Sequence, residues 1–261
     1  MLLRDKFWLW GHPEGRYNTE FGNNKESRMT PMEGCIYLGV RNVFMVPVQR
    51  EVNERQYNKS FKTLNQVGWG YSLHQKQHCK FDRIPEQAKN FPNIGCIALD
   101  DFVNGLSGDD DDVYKEVKDL QDMLDNNDVR KLDSWMVLYT WEFGVEEEKD
   151  AHLQPFLDVV DGVIMWTWKE VDVPLIPEKF EIFKKLTPNT RRMAGCYLYN
   201  FGEHTQATGE KVKWQLDFWR EKILSGEIEG VVLHTNTMAD LDYEAYDAAC
   251  EWMDAHGDEE I

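Results

Sequence analysis

The sequence predicts a (βα)8 TIM barrel forming one domain over residues 1–261. Three observations carry that expectation: eight short apolar runs, their regular recurrence, and helical segments in the gaps between them. The runs, rich in β-branched or aromatic residues, occupy 6–10, 42–46, 67–73, 94–99, 135–139, 162–166, 192–197 and 230–233. Successive runs start roughly 25–40 residues apart, the repeat that alternating strands and crossover helices need. Several are apolar at nearly every position, which suits parallel strands covered on both faces.

The gaps supply the helices. Thr30-Pro31-Met32-Glu33 is the clearest start: Thr is a good N-cap, Pro fits the first turn, and Glu three residues after Thr completes a capping box. Further helices are expected over 54–65, 84–90, 112–126, 147–159, 177–186, 209–224 and 242–255. The last sets Ala245, Ala248, Ala249, Trp252 and Met253 along one side, a face that packs inward, with Gly257 as its stop. No Pro/Gly/Ser linker interrupts the order, so a second domain is not expected. The acidic run 109–112 lacks the ligand spacing and closing Glu of a calcium loop and reads as a solvated helix start.

Composition sets the outer limits. With 42% hydrophobic and 13% aromatic residues the chain can bury a substantial core. Its 29 basic and 47 acidic residues leave a net charge of -18, which repels phosphodiester backbones and anionic lipid, so neither nucleic acid nor a membrane is an expected partner. No apolar run approaches the ~20 residues that span a bilayer, and residues 1–6 do not start a secretory signal; a cytoplasmic location is expected. The five cysteines (Cys35, Cys79, Cys96, Cys196, Cys250) are scattered without CxxC spacing and read as reduced thiols. Cys96 and Cys196 sit inside apolar runs, as small core hydrophobes do.

In such barrels the chemistry sits where strands end and their following loops begin. Those positions carry Trp10-Gly11-His12, Asp100-Asp101-Phe102, Thr140-Trp141-Glu142, Trp166-Thr167-Trp168, Tyr199-Asn200-Phe201-Gly202-Glu203 and His234-Thr235. Asp100 and Asp101 repel each other, which stability alone does not favour, and one of them should face the barrel axis. Glu142 closes the next strand, so Asp100, Asp101 and Glu142 are the candidate catalytic carboxylates, because a close pair with split pKa values supplies an acid and a base. Trp10, Trp141, Trp166, Trp168 and Tyr199 are candidate platforms for the apolar faces of a sugar. His12, Asn200 and His234 are candidate partners for hydroxyls, with Glu203 and Glu170 as reserve carboxylates. No GxSxG, Walker A or GxGxxG sequence is present.

The combination Phe7-Trp8-Leu9-Trp10-Gly11-His12, Ser27-Arg28-Met29-Thr30-Pro31, Asp100-Asp101-Phe102, Asp161-Gly162-Val163-Ile164-Met165-Trp166-Thr167-Trp168 and Arg191-Arg192-Met193-Ala194-Gly195-Cys196-Tyr197 resembles a group of uncharacterised bacterial (βα)8-barrel proteins with a glycoside-hydrolase-like look. The resemblance spans nearly the whole chain and implies the barrel. Better-known barrel glycosidases also place an acid at the end of strand four. The chain departs from them in having neither an Asn-Glu pair nor a spaced DxxDxDxE. The expected function is a carbohydrate-active enzyme, a glycoside hydrolase acting on a small-molecule or oligosaccharide substrate without a cofactor. Two alternatives stand beside it. One is a lyase or isomerase of a sugar or sugar acid whose divalent metal is held among His12, Asp100, Asp101, Glu142 and His234; the other is a glycan-binding barrel without catalysis.

Overall fold

The computed structural model describes residues 1–47, 51–72, 83–103, 106 and 110–261; Leu73, Cys79 and Asp109 of the sequence reading lie outside the described residues. Eight parallel strands close into a barrel in chain order. They are β1 (Phe7–Gly11), β2 (Asn42–Met45), β3 (Gln66–Ser72), β4 (Ile94–Asp100), β5 (Asp133–Tyr139), β6 (Gly162–Trp166), β7 (Arg191–Tyr197) and β8 (Gly230–His234). The helices that follow them are α1 (Pro31–Tyr37), α2 (Glu54–Ser60), α3 (Arg83–Asn90), α4 (Asp111–Asp125), α5 (Glu147–Val159), α6 (Ile176–Leu186), α7 (Gly209–Leu224) and α8 (Glu244–His256). The fold is the predicted (βα)8 TIM barrel.

Local chemistry accounts for the boundaries. The Thr30 hydroxyl accepts from the Glu33 amide at 3.3 Å while the Glu33 carboxylate accepts from the Thr30 amide at 2.8 Å, so the expected capping box starts α1. The 54–65 helix is shorter than expected: α2 ends at Ser60, and Phe61–Thr63 tighten into a 3-10 turn that buries Phe61. The last helix begins at Glu244, not at Asp242, whose φ of 54° no α-helix accepts. Its predicted inward face is buried throughout. The acidic start of α4 is only partly solvated, because Asp110 is buried and receives the His152 ring at 2.9 Å.

Side chains alternate across each strand, so one set points to the barrel axis and the other to the helices. Trp8 and Trp10, Trp135 and Val137, Ile164 and Trp166, and Val232 belong to the axial cluster, whereas Phe7, Leu9, Met136, Val163 and Val231 belong to the layer under the helices. Axial glycines make room for axial rings. A Cβ on Gly195 would lie 2.0 Å from the Trp166 ring, and one on Gly162 would lie 2.3 Å from Trp135. Small against large is how a tapering barrel fills its interior at native density. On β4 the same parity runs Cys96, Ala98, Asp100, which carries Asp100 to the axis.

Candidate functional site

Register brings the strand ends level. Tyr197 and Trp10 both pair with His234 across β7, β8 and β1, and Tyr139 pairs with Trp166 across β5 and β6. Above them lies a cavity of about 130 Å³ bordered by Trp10, His12, Arg16, Tyr17, Phe21, Asp100, Asp101, Val137, Tyr139, Trp166, Trp168, Tyr197 and His234. It is smaller than the ~300–1,000 Å³ of common ligand pockets. A wider depression of about 620 Å³ lies by Glu54, Arg55 and Arg83, and every residue bordering it is exposed or half-buried.

The acidic pair forms one wall. Asp100 ends β4 on the axial side, and Asp101 turns the chain with a φ of 50°, a left-handed conformation that brings its carboxylate to the same cavity. Both acids therefore line the site, where the strand pattern alone promised one. Burial, then the neighbouring Asp101 charge, raises the Asp100 carboxyl well above the usual carboxylate range, against the pull of the Asp101 amide. Asp101 is exposed and accepts the Tyr139 hydroxyl at 3.0 Å. Tyr139 thus fixes the direction of the outer acid.

Opposite stands a wall of neutral nitrogen and aromatic carbon. His12 Nδ1 faces the Val46 carbonyl at 2.9 Å, so that nitrogen carries the proton and Nε2 presents its lone pair. The Tyr17 hydroxyl lies 3.2 Å from His12 Nε2 and 3.4 Å from His234 Nε2, and the two Nε2 atoms are 3.4 Å apart. Burial lowers His12 to about 3 and His234 well below the usual imidazole range, with each ring further disfavoured by nearby positive charge. Both are hydrogen-bonding groups at neutral pH.

Tyr17, with Arg16 and Phe21, comes from the connection between β1 and α1, and sequence reasoning missed all three. Residues 12–30 have no helix or strand and fold across the mouth instead. Phe21 packs edge-on to Trp168 and Phe201, and Gly22 (φ 77°) comes so near that a Cβ would lie 2.4 Å from the His204 carbonyl. Connections this long without structure of their own are commonly functional, and that length was the available signal.

Of the predicted site residues, the structure brings Trp10, His12, Asp100, Asp101, Trp166, Trp168 and His234 to the cavity. Five others do not border it. Glu142 folds back on its own turn, where Oε2 accepts the Tyr139 amide at 2.7 Å and Oε1 is buried without a partner; burial lifts its pKa to about 7. Trp141 is 42% exposed and stacks on the outer side of Tyr139, ring centroids 4.3 Å apart. Tyr199 is buried and donates to the Phe21 carbonyl at 2.9 Å, so it anchors the covering loop. Asn200 ties the connections after β6 and β7 together, accepting the Glu170 amide and donating to Glu203 at 2.8 Å, which occupies Glu203 as well. The reserve acid Glu170 accepts the Thr208 amide at 2.7 Å. Cys35, Cys96 and Cys196 are buried free thiols, Cys250 is half-buried and free, and burial pushes the Cys196 thiol up to about 12. Among the described residues, no three or more His, Cys, Asp or Glu gather as metal ligands, and no helix is long and apolar enough to cross a membrane.

No protein family matches the chain by sequence, and no curated protein does. Its backbone is similar to those of solved barrels. These include a β-glucuronidase from Ruminococcus gnavus (TM-score 0.58, 11% identity, 98% of this chain and 48% of that one). The chain thus spans about half the length of that enzyme. A chitinase domain from Pyrococcus furiosus gives a TM-score of 0.58 at 11% identity over 98% of this chain and 97% of that one. Tryptophan synthase from M. tuberculosis gives 0.53 at 9% identity over 99% and 94%. Two glycoside hydrolases and an enzyme of different chemistry share the architecture, so the likeness carries the barrel.

Proposed function

We propose that the mouth of this barrel is a glycoside-hydrolase site that takes one sugar ring at a time. The single observation that carries the reading is the acidic pair closing β4 inside an enclosed, aromatic-walled cavity. A carboxyl held neutral by burial can donate a proton to a leaving oxygen, as glycosidic cleavage demands. Trp10, Trp166 and Trp168 offer faces for the sugar's C–H groups, and the neutral His12, His234 and Tyr17 side supplies hydrogen-bond donors and acceptors for its hydroxyls. Glycoside hydrolases among the structural neighbours support the reading at the level of architecture.

The test is a screen of chromogenic glycosides against the wild type, Asp100→Asn and Asp101→Asn. Each substitution should lower kcat/KM about 10²–10⁴-fold with the circular dichroism unchanged. Near-normal rates in both variants would remove the assignment.

One observation favours a second reading, a divalent metal between the histidines. The triangle of His12 Nε2, His234 Nε2 and Tyr17 Oη has edges of 3.2–3.4 Å, and ligands of a tetrahedral ion with bonds of ~2.0–2.1 Å stand about 3.3–3.4 Å apart. His234 weighs against it. Metal on Nε2 would leave its proton on Nδ1, which is buried without an acceptor, whereas metal-bound histidines nearly always donate that proton. Cobalt(II) titration with visible spectroscopy, together with activity in chelator, separates the two readings.

A further inference from the structure

We infer that the substrate supplies its own nucleophile: the site is built for a 1,2-trans glycoside of a 2-acylamino sugar, whose amide oxygen attacks the anomeric carbon. The inference rests on the hydrolase reading above and deepens it.

The argument is one of placement. A two-carboxylate glycosidase must hold the anomeric carbon between its acids, one at the leaving oxygen and the other, or a water it activates, on the opposite face. Here the only acids among the described residues that border the cavity are Asp100 and Asp101. They are consecutive, so their Cα atoms are ~3.8 Å apart and their short side chains rise from one wall. No sugar ring fits between them. The rest of the border is His12, His234, Arg16, Tyr17 and further aromatic or apolar side chains, none of them a carboxylate. Two further acids nearby do not border the cavity: Glu142 is held by the Tyr139 amide, and Glu20 is paired with Arg16 at 2.6 Å. With no carboxylate nucleophile on the far side of the pair, a 2-acylamino group trans to the leaving group brings one within reach of the anomeric carbon.

Two acids on one wall suit that chemistry. The amide carbonyl oxygen bonds to C1 as the bond from C1 to the leaving oxygen breaks. Asp100 gives its proton to that oxygen, and Asp101, already aimed by Tyr139 at 3.0 Å, takes the amide N–H proton. The products of this half are a neutral oxazoline and the free alcohol. Water then adds to C1 and loses its proton to Asp100, the C1 bond to the amide oxygen breaks, and Asp101 returns the proton to nitrogen. The sugar is released with its configuration retained and both acids restored.

The experiment compares 4-nitrophenyl 2-acetamido-2-deoxy-β-glycosides of gluco and galacto configuration with the matching 2-hydroxy glycosides, on the full chain. Turnover should be confined to the acetamido compounds, and it should fall on replacing acetyl by trifluoroacetyl, which weakens the carbonyl nucleophile. A thiazoline analogue of the oxazoline should inhibit competitively. A 2,4-dinitrophenyl leaving group, which needs no protonation, should restore most of the rate of Asp100→Asn and little of that of Asp101→Asn. Equal turnover of 2-hydroxy glycosides, or indifference to trifluoroacetyl, overturns the inference and leaves the hydrolase reading standing. Turnover of none of these glycosides, or of any glycoside in the wider screen, removes both.

Discussion

Glu142 and the two buried histidines illustrate how a single residue can set the pH dependence of the whole fold. Glu142 has a folded pKa of about 7 against an ordinary 4.5, caused first by burial. The neutral form is favoured by folding, so its stabilisation is complete at low pH and is lost as pH rises through about 7. Glu142→Gln keeps an acceptor for the Tyr139 amide and removes the charge. Its thermal midpoint should gain on the wild type between pH 4.5 and 7 and hold that gain above, as measured by circular dichroism; a constant difference across the range would refute this account of Glu142. His12 acts with the opposite sign. Its pKa falls to about 3 on burial, so its contribution is present above the ordinary 6.5 and is lost as pH drops towards 3. Gly195 is the clearest steric case. In Gly195→Ala the new Cβ would meet the buried Trp166 ring at 2.0 Å, and overpacking of that kind costs about 1–3 kcal/mol, to be read from urea denaturation.

At the scale of elements, strands and loops differ in how much their residues disclose. The strand ends were readable because apolar runs and alternation constrain every second side chain. Alternation promised only that one of Asp100 and Asp101 faces inward; that it is Asp100, in phase with the axial Cys96 and Ala98, and that a left-handed Asp101 joins it, comes from the structure. Beyond the last strand residue parity lapses. Trp141, Glu142, Tyr199, Asn200 and Glu203 were expected in the mouth by proximity alone, and each is committed elsewhere by a local contact. Arg16, Tyr17 and Phe21 lie in a connection with no periodicity, so their position depends on long-range contacts that short motifs do not reveal. The Gly22 contact gives that connection a test. Gly22→Ala combines a φ of 77° with a Cβ 2.4 Å from a carbonyl oxygen, and should unseat residues 12–30. Limited proteolysis should then cut within this segment several times faster than in the wild type, while far-ultraviolet circular dichroism shows the barrel intact.

For the molecule as a whole, the net charge of -18 is the dominant long-range fact. Several acids are paired, as in Lys184 with Glu227 at 2.6 Å and Arg191 with Asp133 at 2.7 Å, but 47 acidic residues exceed what 29 basic ones can neutralise. The surplus repels itself in the compact state. Added salt should therefore raise the thermal midpoint at pH 7 between about 20 and 300 mM NaCl, because the Debye length shrinks from roughly 20 Å to below 10 Å. A falling midpoint would show that the paired charges outweigh the surplus.

The covering segment makes the mouth lopsided. On the side of β1, β7 and β8 it is roofed by Phe21 against Phe201 and Trp168, whereas over β4 and β5 both Asp101 and Trp141 are exposed. On the glycoside-hydrolase reading proposed above, a guest entering beside Asp101 and Trp141 would set its leading ring under the roof and leave its trailing part outside, next to Trp141. Selectivity for what trails behind would then be decided on the threshold, by groups that never meet the interior, and could be altered there without disturbing the chamber.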